Sequence, residues 1–263
     1  MSERKFPFVF SAPHSSSRIP PEVRSALALT EIQIVESTDL GTHEIFGSIP
    51  AHGVCCASWS RLAVDLNRSP AQRDRKGIVP HVDYSGRTVY RPEYLPDDVE
   101  IERRVQLYYR PFHEALRNAV ESREIFGLFD CHSLNGVGPP EAPDPGERRK
   151  DIVLSNNGDQ EGCVRPGLGC TTCPADWMNR IKGMFEEEGF SVSVNRPYAG
   201  GFITTHYGES LARVGKMAVQ IEINQDLYCL PGTNDPLPDE VGVVLERLNR
   251  VFGSLSEWVR KKA

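Results

Sequence analysis

Ile125-Phe126-Gly127-Leu128-Phe129-Asp130-Cys131-His132-Ser133 is an apolar, strand-like run that delivers a histidine at its far end. Phe8-Val9-Phe10 followed by Pro13-His14-Ser15 does the same near the N-terminus. A third run, Gln220-Ile221-Glu222-Ile223-Asn224, puts a carboxylate where the other two put an imidazole. In an open α/β sheet, ligands gather beyond the C-terminal ends of the strands. Two imidazoles at that edge, with an acid nearby, would make a catalytic metal site.

Strands and helices alternate outward from these runs. Residues 6–12 read as the first strand, and Pro20-Pro21 opens a short helix through Leu29, since proline is tolerated in a first helical turn. Ile45, Phe46 and Ile49 recur at helical spacing within 41–51, and Gly53–Ala57 reads as a strand. Leu62–Leu66 reads as another strand or its continuation, and 69–96 as a long surface excursion of the kind that is often functional. The helical apolar pattern over 97–123 is capped by Asp97 or Asp98 and should be kinked or split by Pro111. A Gly/Pro-rich loop follows at 134–146, then strands at 151–154, 190–194 and 217–223. Helices are predicted over 174–188, stopped by Gly189, and over 239–261. This alternation argues an α/β fold, and with no repeat or linker the chain is read as one domain, 1–263.

Bulk properties remove several classes of function. A chain of 263 residues buries roughly three quarters of its unfolded surface, enough for a large core. The net charge of −6 gives no reason to expect nucleic acid or an anionic membrane as partner. No apolar stretch is long enough to span a bilayer, and the N-terminus lacks the apolar core of a secretory signal, so a cytoplasmic location is expected. Oligomeric state is not legible. Seven cysteines, an odd number, suit free thiols in a reducing compartment. Cys163, Cys170 and Cys173 supply half a structural zinc site with no second half at finger spacing, so no structural zinc is expected. Cys131 neighbours His132 on a strand and so faces the other way, which argues against a thiol–imidazole pair.

His14 and His132 are therefore the metal candidates, although either imidazole alone could equally bond a loop carbonyl. The third ligand should be a carboxylate or histidine, and Glu36, Asp39 and His43 are all close in sequence. Asp130 could hold the His132 tautomer from outside the metal shell. Asn67-Arg68 suits a carboxylate, because a guanidinium binds both oxygens in a fork and the amide adds a donor. Glu222 among apolar strand residues should titrate upward, as a general base requires, or face solvent on an edge strand. Arg196 could meet a second substrate carboxylate, and Tyr198 lies in the same string.

Six strings in order resemble the N-formylglutamate amidohydrolase family: Ser11–Ser15, Ser37–Asp39, Ser60–Arg68, Asp130–Ser133, Asn195–Gly201 and Gln220–Asn224. The family looks related to zinc carboxypeptidases and aspartoacylase. The resemblance implies a three-layer αβα fold with a central mixed, mostly parallel sheet, and one zinc ion per chain. By it, His14 and His132 become ligands, Asn67, Arg68, Arg196 and Tyr198 substrate binders, Glu222 the base and Arg61 a substrate or oxyanion donor. The carboxypeptidase pattern would put the carboxylate ligand at Ser17, which cannot serve, so Asp39 takes that place. The implied reaction is zinc-dependent hydrolysis of a small-molecule N-acyl amino acid, N-formyl-L-glutamate being the named case, as in histidine breakdown. A related amidase or carboxypeptidase, and a non-catalytic metal- or amino-acid-binding protein on the same scaffold, stand as alternatives.

Overall fold

The run Phe8-Val9-Phe10 sits at the middle of β1 (Phe6–Ala12). The structure, a computed structural model, describes residues 5–230, 233 and 235–262. After β1 come three short helices, α1 (Pro21–Arg24), α2 (Glu31–Glu36) and α3 (Thr42–Gly47), then β2 (Ala51–Cys56). Next follow α4 (Asp98–Arg104), α5 (Arg110–Val120), β3 (Gly127–Leu134), β4 (Ile152–Ser155) and α6 (Ala175–Glu187). The chain closes with β5 (Val192–Val194), α7 (Phe202–Ala212), β6 (Met217–Asn224) and α8 (Pro238–Arg260).

The strands form one sheet in the order β2-β1-β3-β6-β4-β5. β1, β2, β3 and β6 run parallel, while β4 pairs antiparallel with β6 and carries β5 alongside it. The sheet is thus mixed and mostly parallel, and helices cover both faces, as expected. Alternation along each strand sorts the core. Phe8 and Phe10 of β1, Phe129 and Cys131 of β3, and Val219 and Ile221 of β6 point to one face, against Phe46 of α3, Met178 and Phe185 of α6, and Phe252 of α8. Val9, Leu128 and Ala218 point to the other, against Leu116 of α5 and Ile203 and Leu211 of α7. No helix among the described residues is long and apolar enough to cross a membrane.

Two readings of the sequence need correction. Leu62–Leu66 is no strand: these residues turn, and Leu62, Ala63, Val64 and Leu66 satisfy their apolar pattern by packing with Val23, Ile78, Tyr90 and Ile101 in a separate cluster. The excursion 69–96 is correspondingly less superficial than expected, because Ile78, Val79, Val89 and Tyr90 are buried in that cluster. The long helix is split at Pro111 as expected, by a π-helical stretch just ahead of it, Val105–Tyr109, where Arg110 donates its amide to the Val105 carbonyl. The wider turn absorbs the amide that Pro111 cannot supply. α7 escapes the sequence pattern because Phe202, Ile203, Thr204, Thr205 and Tyr207 are weak helix formers. Tertiary packing holds it: Gly208 lets α7 approach so closely that a Cβ there would lie 2.5 Å from Thr172 and 3.1 Å from Ala218.

Candidate metal centre and active site

Parallel β1, β3 and β6 present their C-terminal ends at one edge, which gathers the residues singled out above. His14 lies two residues past β1. His132 and Glu222 are register partners on β3 and β6. Asp39 follows α2 in a loop that is bound to the first histidine turn, its amide donating to the His14 carbonyl at 3.0 Å. His14, Asp39 and His132 are buried and converge, with one ligand atom of each within 4.8 Å of the others. Asp39 Oδ2 lies 2.9 Å from His132 Nδ1 and 3.4 Å from His14 Nδ1.

The opposite ring nitrogens are held from behind. His14 Nε2 donates to Asp65 Oδ1 at 2.7 Å, and Asp65 Oδ2 accepts from Arg61 Nη2 at 2.6 Å. His132 Nε2 lies 3.0 Å from Asn67 Nδ2 and 3.3 Å from Asp130 Oδ2. Asp130 is itself fixed, accepting from Ser11 Oγ at 2.8 Å, Thr204 Oγ1 at 3.2 Å and Asn67 Nδ2 at 3.2 Å. A carboxylate behind each imidazole is the arrangement that orients metal-binding histidines and fixes their tautomer.

The chemistry of these groups fits a cation. With its Nε2 hydrogen on Asp65, His14 turns a lone pair at Nδ1 toward the Asp39 carboxylate. That Nδ1 is buried and has no hydrogen-bond partner, and an orphaned buried nitrogen is a costly arrangement. Two imidazole nitrogens and one carboxylate form a donor set suited to zinc or a similar divalent ion. The electrostatics agree. Burial works against ionisation of Asp39, but His14 and His132 overcome it and hold its carboxyl well below the usual range. Asp65 is likewise held down against burial by Arg61 and His14. Burial opposes a charge on His132, yet Asp130, Asp39 and Glu222 raise its pKa well above the ordinary value. The same surplus of carboxylates attracts a metal cation.

Glu222 faces this group from β6. Gln220, two residues earlier on the same face, donates from Nε2 to Glu222 Oε1 at 2.9 Å and accepts the Gly201 amide on its own Oε1 at 2.6 Å. Burial, with the charges of Asp39 and Asp130, pushes Glu222 up to about 8, against the opposing pull of His132 and Arg149. Of the two sequence readings of Glu222, the buried one holds.

These residues open into a cavity of about 650 Å³, whose walls include the segment around Lys76–Arg87 and the loop after β3. His14, Asp39, Arg61, Asn67, Arg68, His132, Tyr198 and Glu222 all line it. Arg196 does not: it is exposed and pairs with Glu147 at 2.6 Å on the outer surface. Asn67 lines the cavity but its amide is already engaged, Nδ2 donating to Asp130 Oδ2 at 3.2 Å beside His132 while its Oδ1 accepts the Ile203 amide at 2.8 Å. Glu36 pairs with Arg87 on the cavity wall and His43 is exposed, so Asp39 alone of the three third-ligand candidates joins the histidines. Cys163 and Cys170 are exposed, Cys173 is buried beside Met217, and no metal-binding group among the described residues includes them.

Sequence reasoning missed three members. Asp65 was hidden in a segment read as strand, and Gln220 looked like one more polar residue of β6. Arg149 lay in the charged run Glu147-Arg148-Arg149-Lys150, which reads as a solvated surface. In fact its guanidinium is buried against Asp144, at 2.6 and 2.8 Å, and donates to the Tyr198 hydroxyl at 3.3 Å. Only a partner five residues upstream, Asp144, hinted at this.

Known proteins resemble this chain in sequence and in architecture. The profile of the N-formylglutamate amidohydrolase family matches residues 6–229. An N-formylglutamate deformylase of Pseudomonas putida is 27% identical over 236 residues, 85% of this chain and 82% of the relative. The enzyme of that name from Pseudomonas aeruginosa is 27% identical over 235 residues, with the same coverage. The crystal structure of an N-formylglutamate amidohydrolase from Ralstonia eutropha superposes with a TM-score of 0.77 at 21% identity, covering 100% of this chain and 97% of that one. A gene product of Agrobacterium tumefaciens superposes with a TM-score of 0.70 at 18% identity, covering 97% and 92%.

Proposed function

The chain belongs to the N-formylglutamate amidohydrolase family, and from that premise we propose that it is a metal-dependent hydrolase of N-acyl amino acids, with N-formyl-L-glutamate the substrate its relatives' names suggest. The observation that carries this reading is the buried His14–Asp39–His132 group facing Glu222 across one cavity.

In this reading His14, Asp39 and His132 hold one zinc ion. When bound, such an ion supplies a Lewis acid for the acyl carbonyl and for the attacking water. The chain's own residues do the rest. Arg68 takes the α-carboxylate: its Nε is buried without a hydrogen-bond partner, an N–H awaiting an acceptor. The Tyr198 hydroxyl accepts from Arg149, which leaves its hydrogen free for the substrate. Arg61, steadied by Asp65, is the donor for charge developing on the acyl oxygen. Glu222, its carboxylate oriented by Gln220, takes a proton from the attacking water at Oε and returns it to the leaving amine. A pKa raised toward neutrality suits both halves of that transfer. Asn67, expected as a substrate binder, instead positions His132 and the start of α7. The products are formate and glutamate when the substrate is N-formylglutamate.

Metal content and formate release test this together. Purified protein should carry about one divalent ion per chain, lost in His14→Ala and His132→Ala. It should release formate from N-formylglutamate until a chelator is added, and again once zinc is restored. Full turnover by metal-free protein would remove the metal from the mechanism, and no turnover of any N-acyl amino acid would remove the reaction.

A further inference from the structure

Five cations line the cavity, and four of them are neutralised by the protein itself. Arg61 binds Asp65 at 2.6 Å, and Arg87 binds Asp83 at 2.6 Å and also Glu36. Arg149 grips Asp144 at 2.6 Å. Lys76 sits 2.7 Å from Glu141 Oε2 and donates to the carbonyl of the same residue at 2.9 Å, while Arg75 reaches the Glu141 carboxylate at 3.3 Å. Arg68 differs. Its nearest carboxylate, Asp65, is 3.8 Å from Nε, and Nη2 donates to the neutral Tyr84 hydroxyl at 3.2 Å. Among the described residues lining the cavity, it is the cation without a close carboxylate.

Lys76 is the lining cation placed beside Arg68, where a second carboxylate of a substrate held by Arg68 would meet it. It shares Tyr84 with Arg68, its ammonium lying 5.9 Å from the centre of the ring whose hydroxyl Arg68 holds. Glu141 occupies it. A side-chain carboxylate entering this wall meets an ammonium already paired with Glu141, on a wall that also carries Asp83, and must compete with a resident carboxylate for its charge partner.

We propose that Glu141 determines side-chain specificity: by withholding Lys76 it leaves one cation for one carboxylate, so that N-acyl amino acids with uncharged side chains are taken as well as acidic ones. The inference rests on the N-acyl amino acid reading above. Wild-type kcat/KM for N-formylglutamine and N-formylglutamate should then agree within about threefold. Glu141→Gln removes the competing carboxylate while the residue-141 carbonyl still holds the ammonium in place, and should shift the ratio toward N-formylglutamate about tenfold, the worth of one charge-assisted hydrogen bond. Lys76→Gln should move the ratio little alone and cancel the gain when combined with Glu141→Gln, as a double-mutant cycle reads it.

Calorimetric binding of glutarate against its monoamide, glutaramate, gives the same ratio without turnover, and thermal melts report whether each variant is folded. A ratio that Glu141→Gln leaves unmoved overturns the role of Glu141. So does a wild-type preference for N-formylglutamate of about a hundredfold, which would require a second working cation. Absence of turnover with a shifted binding ratio overturns the hydrolase reading and leaves the specificity wall standing.

Discussion

Gln220→Leu isolates the contact that joins Glu222, the proposed general base, to the start of α7. The substitution keeps nearly the same volume in a buried site, so its cost lies in hydrogen bonds rather than in a cavity. Two are lost: Nε2 to Glu222 Oε1 at 2.9 Å, and the Gly201 amide to Oε1 at 2.6 Å. A buried backbone amide left unpaired costs about 1–3 kcal/mol, and a bond to a carboxylate contributes about 1.5–3 kcal/mol. Burying the leucine side chain returns about 1 kcal/mol. The net loss is about 3 kcal/mol, which for a chain of this size lowers Tm by roughly 6–12 °C. α7 stays docked, because Asn67 still accepts the Ile203 amide and Thr204 still reaches Asp130. In kinetics the change falls on Glu222 and not on Arg68. We expect kcat to drop about 10- to 100-fold with KM within about threefold, the pattern of an interaction that matters in the transition state. Scanning calorimetry on the metal-loaded protein and steady-state formate release check the two halves. A Tm within 2 °C of wild type together with kcat within about twofold would refute the reasoning.

Glu222→Gln should keep the bound metal, measured by elemental analysis, while kcat falls about 10²- to 10⁴-fold, as removal of a general base does. Gly201→Ala places a Cβ 2.3 Å from Asn67 Nδ2, the amide that braces His132. It should lower kcat/KM by at least about tenfold and weaken zinc retention against a chelator, since changes to groups behind a metal ligand typically cost about 10- to 100-fold in affinity. His113 is buried between the Tyr207 hydroxyl and the Leu66 carbonyl, and burial lowers its pKa from 6.5 to about 4. Below pH 6.5 the unfolded chain binds a proton there that the folded chain refuses until about pH 4. Stability therefore falls as pH drops through that window, by about 3 kcal/mol in all. Urea titrations from pH 7 to 4 should show His113→Gln losing less over this range than wild type, and parallel curves would exclude His113.

The readable parts of the fold and site were those where a local string has one plausible structural use. Phe8-Val9-Phe10 and Ile125–Phe129 are too apolar and too short for anything but buried strands, and the polar residues that end them fall at a sheet edge. The Leu62–Leu66 run has the same local character, yet no strand lies beside it to pair with, and a second apolar cluster absorbs it. α7 was illegible because its residues favour strands in isolation, and only packing against β3 and β6 makes the helix. Asn67 shows the limit at the site. As a dipeptide with Arg68 it reads as a substrate clamp, but its partners Asp130, His132 and Ile203 lie 63, 65 and 136 residues away. Arg196 and Tyr198 share a string, and only the position of Glu147 draws Arg196 outward.

The reversal of direction at β4 has a consequence for how this chain can change. β3 ends at Leu134 opposite Asn224, and β4 begins at Ile152 opposite Ile223, so the two ends of the intervening loop flank the same point of β6. They lie two strand spacings apart, about 10 Å. A loop anchored this way can be lengthened without altering the path of any strand, and doubling its length costs only about 0.6 kcal/mol in closure entropy. Asn135, Val137, Pro139, Glu141 and Arg149 all project into the cavity from this one segment. Insertions and deletions there rewrite the wall that reads the substrate while His14, Asp39, His132 and Glu222 stay on the rigid sheet edge. On the proposed function, editing this single tether is then enough to change which substrate fits while the residues assigned to metal and proton transfer are inherited intact.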